Sequence, residues 1–255
     1  MDSARSLPTP TVNQSFFASF CSQKEVLLFC FSEFPLVKPP PDRLYGRITG
    51  KKLRPRQVTL LERFLPQLAW PGIAFGGAVR ETWLEVGFGG GEHAAALAAA
   101  NPTVGIIAAE VFEPGICSLL SRLAPDEVAD PVPPENLRIF TDDARPLLRA
   151  MPDASLAKLF LMFPDPWPKA RHAKRRFVHP DLLPEIARVL ARGGEWRIAS
   201  DDPTYQAWTD DVLAGQSLLR LASRTKIRPP GWPPTRYEAK AIAAGRQPVY
   251  WSLAR

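Results

Sequence analysis

The sequence predicts an α/β domain whose doubly wound, mostly parallel sheet is covered by helices on both faces. Three observations predict it. Short apolar runs alternate with helix-patterned segments over residues 82–215, a glycine-rich turn joins the first run to an alanine-rich helix, and acidic residues fall where successive runs end. Alternation of this kind builds crossover units whose strands lie parallel and buried. With 255 residues, 45% apolar and 23% charged, the chain can bury the core of one medium domain rather than two.

Ahead of the sheet, Val58, Leu61, Phe64, Leu65 and Leu68 recur at helical spacing. They predict a basic amphipathic helix over 54–68, with Pro55 in its first turn and Pro66 disturbing its last. Strands follow at 82–86, 104–110, 137–141, 156–163 and 195–200, with helices between them at 92–100, 114–123, 146–150 and 180–190. Gly193 and Gly194 end the last of these helices. Asp202 and Pro203 then supply the cap and first-turn proline of a further helix reaching Gly215. Two closing strands, 218–226 and 247–253, bracket a proline-rich excursion and bring the sheet to seven.

Residues 1–40 carry little organised signal and are expected to form a loose extension, with the folded domain over 41–255. The apolar stretch 26–37 is broken by Glu33 and Pro35 and is too short to span a bilayer, so no membrane segment is expected. Cys21, Cys30 and Cys117 form an odd set without metal-ligand spacing. Neither a metal site nor a disulfide framework is indicated, and a reducing cytoplasm fits.

Chemistry concentrates at the strand ends. In Glu85-Val86-Gly87-Phe88-Gly89-Gly90-Gly91, the glycines at Gly87, Gly89 and Gly91 allow positive φ and let a ligand approach the backbone. Glu110 closes the second strand, where a carboxylate accepts hydrogen bonds from ribose hydroxyls. Asp142 and Asp143 end the third, where a carboxylate can receive an adenine amino group; either of the two can face the ligand. The Gly-x-Gly-x-Gly spacing with Glu85 beside it disfavours a dinucleotide, since an acid there repels pyrophosphate. It suits a cationic ligand such as S-adenosylmethionine.

The fourth strand runs into Phe163-Pro164-Asp165-Pro166-Trp167-Pro168-Lys169. Prolines on both sides restrict the loop and hold the Asp165 carboxylate above the crevice with little entropy to lose. Asp165 is the candidate catalytic residue, orienting a target base, and Trp167 either stacks on that base or packs on the core.

The formal charge of +6 gathers in three clusters, at 43–56, 169–176 and 220–246, which suits a phosphate backbone. Of the middle cluster, Lys169, Arg175 and Arg176 are the candidates to hold the phosphates adjoining the base. Cations beside an aromatic ring fit an RNA groove.

Together these residues resemble the bacterial tRNA (guanine-N7)-methyltransferase family. The resemblance spans 43–251 and rests on four ordered motifs, at 85–91, 163–176, 199–205 and 235–238. It implies a class I methyltransferase, Rossmann-like, with a seven-stranded sheet carrying one antiparallel strand near its edge. It further implies S-adenosylmethionine held at Glu85, Glu110, Asp143 and Asp165, and tRNA contacted by Lys169, Asp201, Thr235, Arg236, Tyr237 and Glu238. The product it implies is 7-methylguanosine at variable-loop guanosine 46. Asp201-Asp202-Pro203 stands where the family more often has a single aspartate, so either acid can be the inward one. The expected assembly is a monomer or homodimer acting on tRNA.

Overall fold

The computed structural model describes residues 47–126 and 130–255. The expectations for residues 1–40 and for Arg43 lie outside the described residues. Seven strands form one sheet: β1 (Glu81–Val86), β2 (Val104–Ala109), β3 (Leu137–Phe140), β4 (Leu156–Met162), β5 (Leu190–Ser200), β6 (Arg220–Thr225) and β7 (Val249–Ala254). Their order is β3-β2-β1-β4-β5-β7-β6. β1 to β5 pair in parallel, and β7 runs antiparallel to both β5 and β6. The single antiparallel strand near the edge is as expected.

Alternation of side chains explains why helices cover both faces. Trp83, Ile106 and Phe160 point into one core, whereas their neighbours Leu84, Ile107, Leu159 and Leu161 point into the other. Strands buried on both sides read as continuous apolar runs, which made them visible in the sequence. The strand order reverses between β1 and β4, and the gap outside their carboxyl ends is where an open α/β sheet receives a ligand.

The helices are α1 (Pro55–Thr59), α2 (Glu92–Ala100), α3 (Glu113–Leu123), α4 (Ala144–Ala150), α5 (Leu183–Val189), α6 (Pro203–Ala214) and α7 (Arg236–Ala243). The single helix expected over 54–68 is instead three pieces. After α1 comes a π turn over Leu60–Phe64 and a 3-10 turn over Leu65–Gln67. Pro66 has no N–H to continue the ladder, and the wider turn brings Leu60, Phe64 and Leu68 onto the core while Val58 stays exposed. Gly193 and Gly194 lie within β5, at a register irregularity against β4, rather than at a helix end, since α5 stops at Val189. Helix α7, inside the proline-rich excursion, was not expected. Trp232, buried against Tyr250 and capped by the Arg197 guanidinium, anchors that excursion to the sheet.

Candidate active site

A crevice of about 770 Å³ opens at the carboxyl ends of β1 to β4. Gly87 and Gly89, Glu110, Asp142, Asp143 and Asp165 all line it. Gly87 has a φ of +71° and space beyond its α-carbon, so a ligand can lie directly on the backbone. Gly91, the third predicted glycine, is not in the crevice wall. Its φ of +76° starts α2, and an added β-carbon would lie 2.5 Å from the Leu119 side chain, so it serves the packing of α2 on α3.

Glu110 stands just beyond β2 and organises the glycine loop. Its Oε2 accepts from the Gly89 N–H at 2.7 Å, and its Oε1 accepts from Val111 and Phe112 at 2.8 and 2.9 Å. Burial pushes the Glu110 carboxyl above its ordinary value. The N–H groups of Phe112, Gly89 and Val111 pull it back, and the charge of Asp165 adds to the upward push. Glu85 lies deeper, 2% exposed, beneath the loop and outside the main crevice wall. Its Oε1 is 3.1 Å from Nδ1 of buried His93, close but without the alignment of a full hydrogen bond, and its Oε2 has no protein partner. A small cavity beside Glu85 and His93 extends to Tyr237.

Both candidate acids after β3 face the crevice, with different tasks. Asp143 caps α4, accepting from the Arg145 N–H at 3.0 Å, and holds the Arg145 guanidinium at 2.7 Å. Asp142 is exposed and accepts from the Asp143 N–H.

The Asp165 loop is strained at both ends. Phe163 and Trp167 take left-handed backbone, with φ of +54° and +44°. Non-glycine residues persist there only where surrounding structure holds them. One holder is Arg176. It was expected to meet phosphate, but its guanidinium is buried, donates to the carbonyls of Pro166 and Trp167 at 3.2 and 3.0 Å, and stacks over Trp208. The short 3-10 turn Ala170–Arg175 sends Arg176 inward and its neighbour outward. Arg175 lines the crevice with its guanidinium 4.8 Å from the Trp167 ring centre, and Lys169 is exposed ahead of the turn. Asp165 itself is exposed to the crevice.

The later motifs divide in the same way. Asp202 is the cap of α6, accepting from the Tyr205 N–H at 2.9 Å, whereas Asp201 pairs with Arg246 at 2.6 Å and does not line the crevice. Thr235 and Glu238, expected to touch substrate, are buried in a capping box that starts α7. Glu238 also accepts from the Tyr250 hydroxyl at 2.6 Å and from Arg228 at 2.9 Å, so its oxygens are engaged. Arg236 and Tyr237 instead front the glycine loop: the Tyr237 ring rests on Gly89, and Arg236 reaches Glu92 at 3.3 Å.

Several lining residues had no place in the sequence reading of the site. Arg47 was read only as part of a basic cluster, and Arg145 and Phe112 not at all. The Asp143-Ala144-Arg145 spacing, an N-cap with a cation in the first helical turn, was the signal available for Arg145. Among the described residues no group of three or more His, Cys, Asp or Glu is placed to hold a metal ion, and no helix is long and apolar enough to cross a membrane.

Comparison with known proteins adds to this geometry. A family model described as "Putative methyltransferase" matches residues 80–250. The tRNA (guanine-N(7)-)-methyltransferase of Granulibacter bethesdensis is 60% identical over 222 residues, 86% of this chain and 97% of that protein. Proteins of the same name from Paramagnetospirillum magneticum and Rhodospirillum rubrum are 47% and 44% identical, each over 84% of this chain and over 92% and 88% of their own lengths. Among solved structures, the 16S rRNA methyltransferase KamB aligns with a TM-score of 0.50 at 16% identity, over 72% of this chain and 96% of that one, a likeness of fold.

Proposed function

The chain belongs to the tRNA (guanine-N7)-methyltransferase family, and from that membership we propose that it transfers a methyl group from S-adenosylmethionine to N7 of guanosine 46 in the variable loop of tRNA. The observation that carries the donor assignment is the pair of carboxylates at Glu110 and Asp165. Both line one crevice, where the Glu110 carboxyl is pushed up chiefly by burial and, in smaller part, by the charge of Asp165. A cationic occupant relieves that repulsion, whereas a pyrophosphate worsens it. The open backbone at Gly87 gives such a ligand room.

Glu110 would hold the ribose, Asp142 or Asp143 the adenine amine, and Glu85, beside His93, the amino-acid end of the ligand. When bound, S-adenosylmethionine supplies an electrophilic methyl group on a sulfonium whose carbon–sulfur bond breaks with its electron pair going to sulfur. Guanine N7 carries an in-plane lone pair at neutral pH, so no residue of this chain has to act as a general base. Alignment and charge stabilisation are what remain. Asp165 accepts from guanine N1–H and the exocyclic amine, and this contact strengthens as positive charge develops on the purine. The strained, proline-bounded loop holds that carboxylate ready. Trp167, backed by Arg175, offers a ring for the base, and Arg175 and Lys169 meet the adjoining phosphates.

The test is direct. The protein is incubated with methyl-labelled S-adenosylmethionine and unmodified tRNA, and the digested product is identified. Label in 7-methylguanosine mapped to position 46 supports the reading, and label in another nucleoside or none contradicts it.

A further inference from the structure

Glu92 lies in the first turn of α2, immediately after the glycine loop, and nothing in the proposed reaction uses it. Neither of its carboxylate oxygens is solvent-accessible, and neither accepts a hydrogen bond. Its partners are two guanidiniums from other elements: Arg236 of α7 at 3.3 Å and Arg122 of α3 at 3.9 Å. Arg122 in turn donates to the Gly90 carbonyl at 3.1 Å, as does the Ser118 hydroxyl at 2.9 Å. A β-carbon at Gly90 would meet the Glu92 carboxylate and lie 3.0 Å from Arg236, so a side chain there would displace this pair. One residue further along α7, Tyr237 lies on Gly89, whose N–H is held by Glu110.

The start of α7 is therefore fastened to the loop that carries the cofactor, through a buried carboxylate on one side and an aromatic ring on the other. We propose that Glu92 is a positioning residue that clasps Arg236, setting the acceptor-facing turn of α7 by the state of the glycine loop so that cofactor and tRNA strengthen each other's binding. This rests on the methyltransferase reading above for the identity of the two ligands. The physical basis is that both ligands meet the same rigid junction. A cofactor that fixes Gly87 and Gly89 fixes Tyr237 and Arg236 with them, and the second ligand then has less to order. Such coupling is reciprocal, so each ligand raises the affinity for the other by the same factor.

The experiment measures affinity for fluorescently labelled unmodified tRNA with and without saturating S-adenosylhomocysteine, in the wild type and in Glu92→Gln. Calorimetric binding of S-adenosylhomocysteine alone and a thermal melt accompany it. The wild type is expected to bind tRNA about five- to tenfold more tightly with S-adenosylhomocysteine present. In Glu92→Gln that ratio falls below about twofold, while S-adenosylhomocysteine binding without tRNA changes by less than about threefold. Adding Arg236→Gln to Glu92→Gln removes no further coupling, because the two residues act as one contact. A wild-type ratio near one, or a ratio in Glu92→Gln equal to that of the wild type, overturns the clasp even if tRNA is methylated at guanine N7. Absence of tRNA binding and of methyl transfer overturns the functional reading as well.

Discussion

Arg176 holds Trp167 in place: its Nη2 donates to the Trp167 carbonyl at 3.0 Å, while Arg175, its neighbour, lines the crevice with its guanidinium 4.8 Å from the Trp167 ring centre. Adjacent cations in one basic run thus have opposite duties. One shapes the loop that carries Asp165, and the other lines the crevice.

That division gives a first prediction. Arg176→Gln loses the paired donation to the Pro166 and Trp167 carbonyls that holds the loop, and is expected to lower single-turnover methyl transfer by about a hundredfold with little change in the salt dependence of tRNA binding. Arg175→Gln is expected to do the reverse, weakening tRNA binding and reducing the slope of log affinity against log salt by about one. Binding titrations over a salt series for both variants decide it. Equal slopes for the wild type and Arg175→Gln would remove Arg175 from the phosphate contacts.

The glycines separate in the same manner. Gly91→Ala forces a β-carbon at positive φ against Leu119 and is expected to cost about 2–3 kcal/mol of stability, seen as a lower Tm. Gly87→Ala shares the positive-φ strain, worth about 1 kcal/mol, but meets no protein atom, so it is expected to lower the Tm less than Gly91→Ala and to act mainly on S-adenosylmethionine affinity. Melting curves and calorimetry on the two variants, side by side, test the contrast.

Glu110 gives a pH signature. Its carboxyl is raised in the folded protein, chiefly by burial, so the folded state holds the proton more tightly than the unfolded chain does. Its contribution to stability is therefore complete below the ordinary glutamate value, about 4.3, and is lost as pH rises through the higher folded value. The stability difference between wild type and Glu110→Gln is expected to shrink in favour of the variant across that window, measured by urea unfolding at a series of pH values. A difference independent of pH would contradict the assignment.

Much of this was legible in the sequence, and the reasons differ by feature. Strands buried on both faces are continuous apolar runs, so the parallel sheet could be read directly, and glycines and acids at strand ends marked the crevice. Side-chain direction could not be read. Nothing in Lys169 to Arg176 reveals that a 3-10 turn points Arg176 inward, and the pairing of Asp201 with Arg246 joins residues far apart in the chain. Thr235 and Glu238 were noticed as a motif, but their spacing is also that of a capping box, which marks the start of α7. The flanking prolines drew attention to a loop and hid a helix of only eight residues.

The central claim is that the Asp165 carboxylate orients the base for attack. It is tested most directly by comparing wild type and Asp165→Ala for single-turnover methyl transfer to unmodified tRNA and for tRNA affinity under the same conditions. The expected result is a fall in rate of about a thousandfold, with affinity changed by less than about threefold. A rate for Asp165→Ala equal to that of the wild type would contradict the claim.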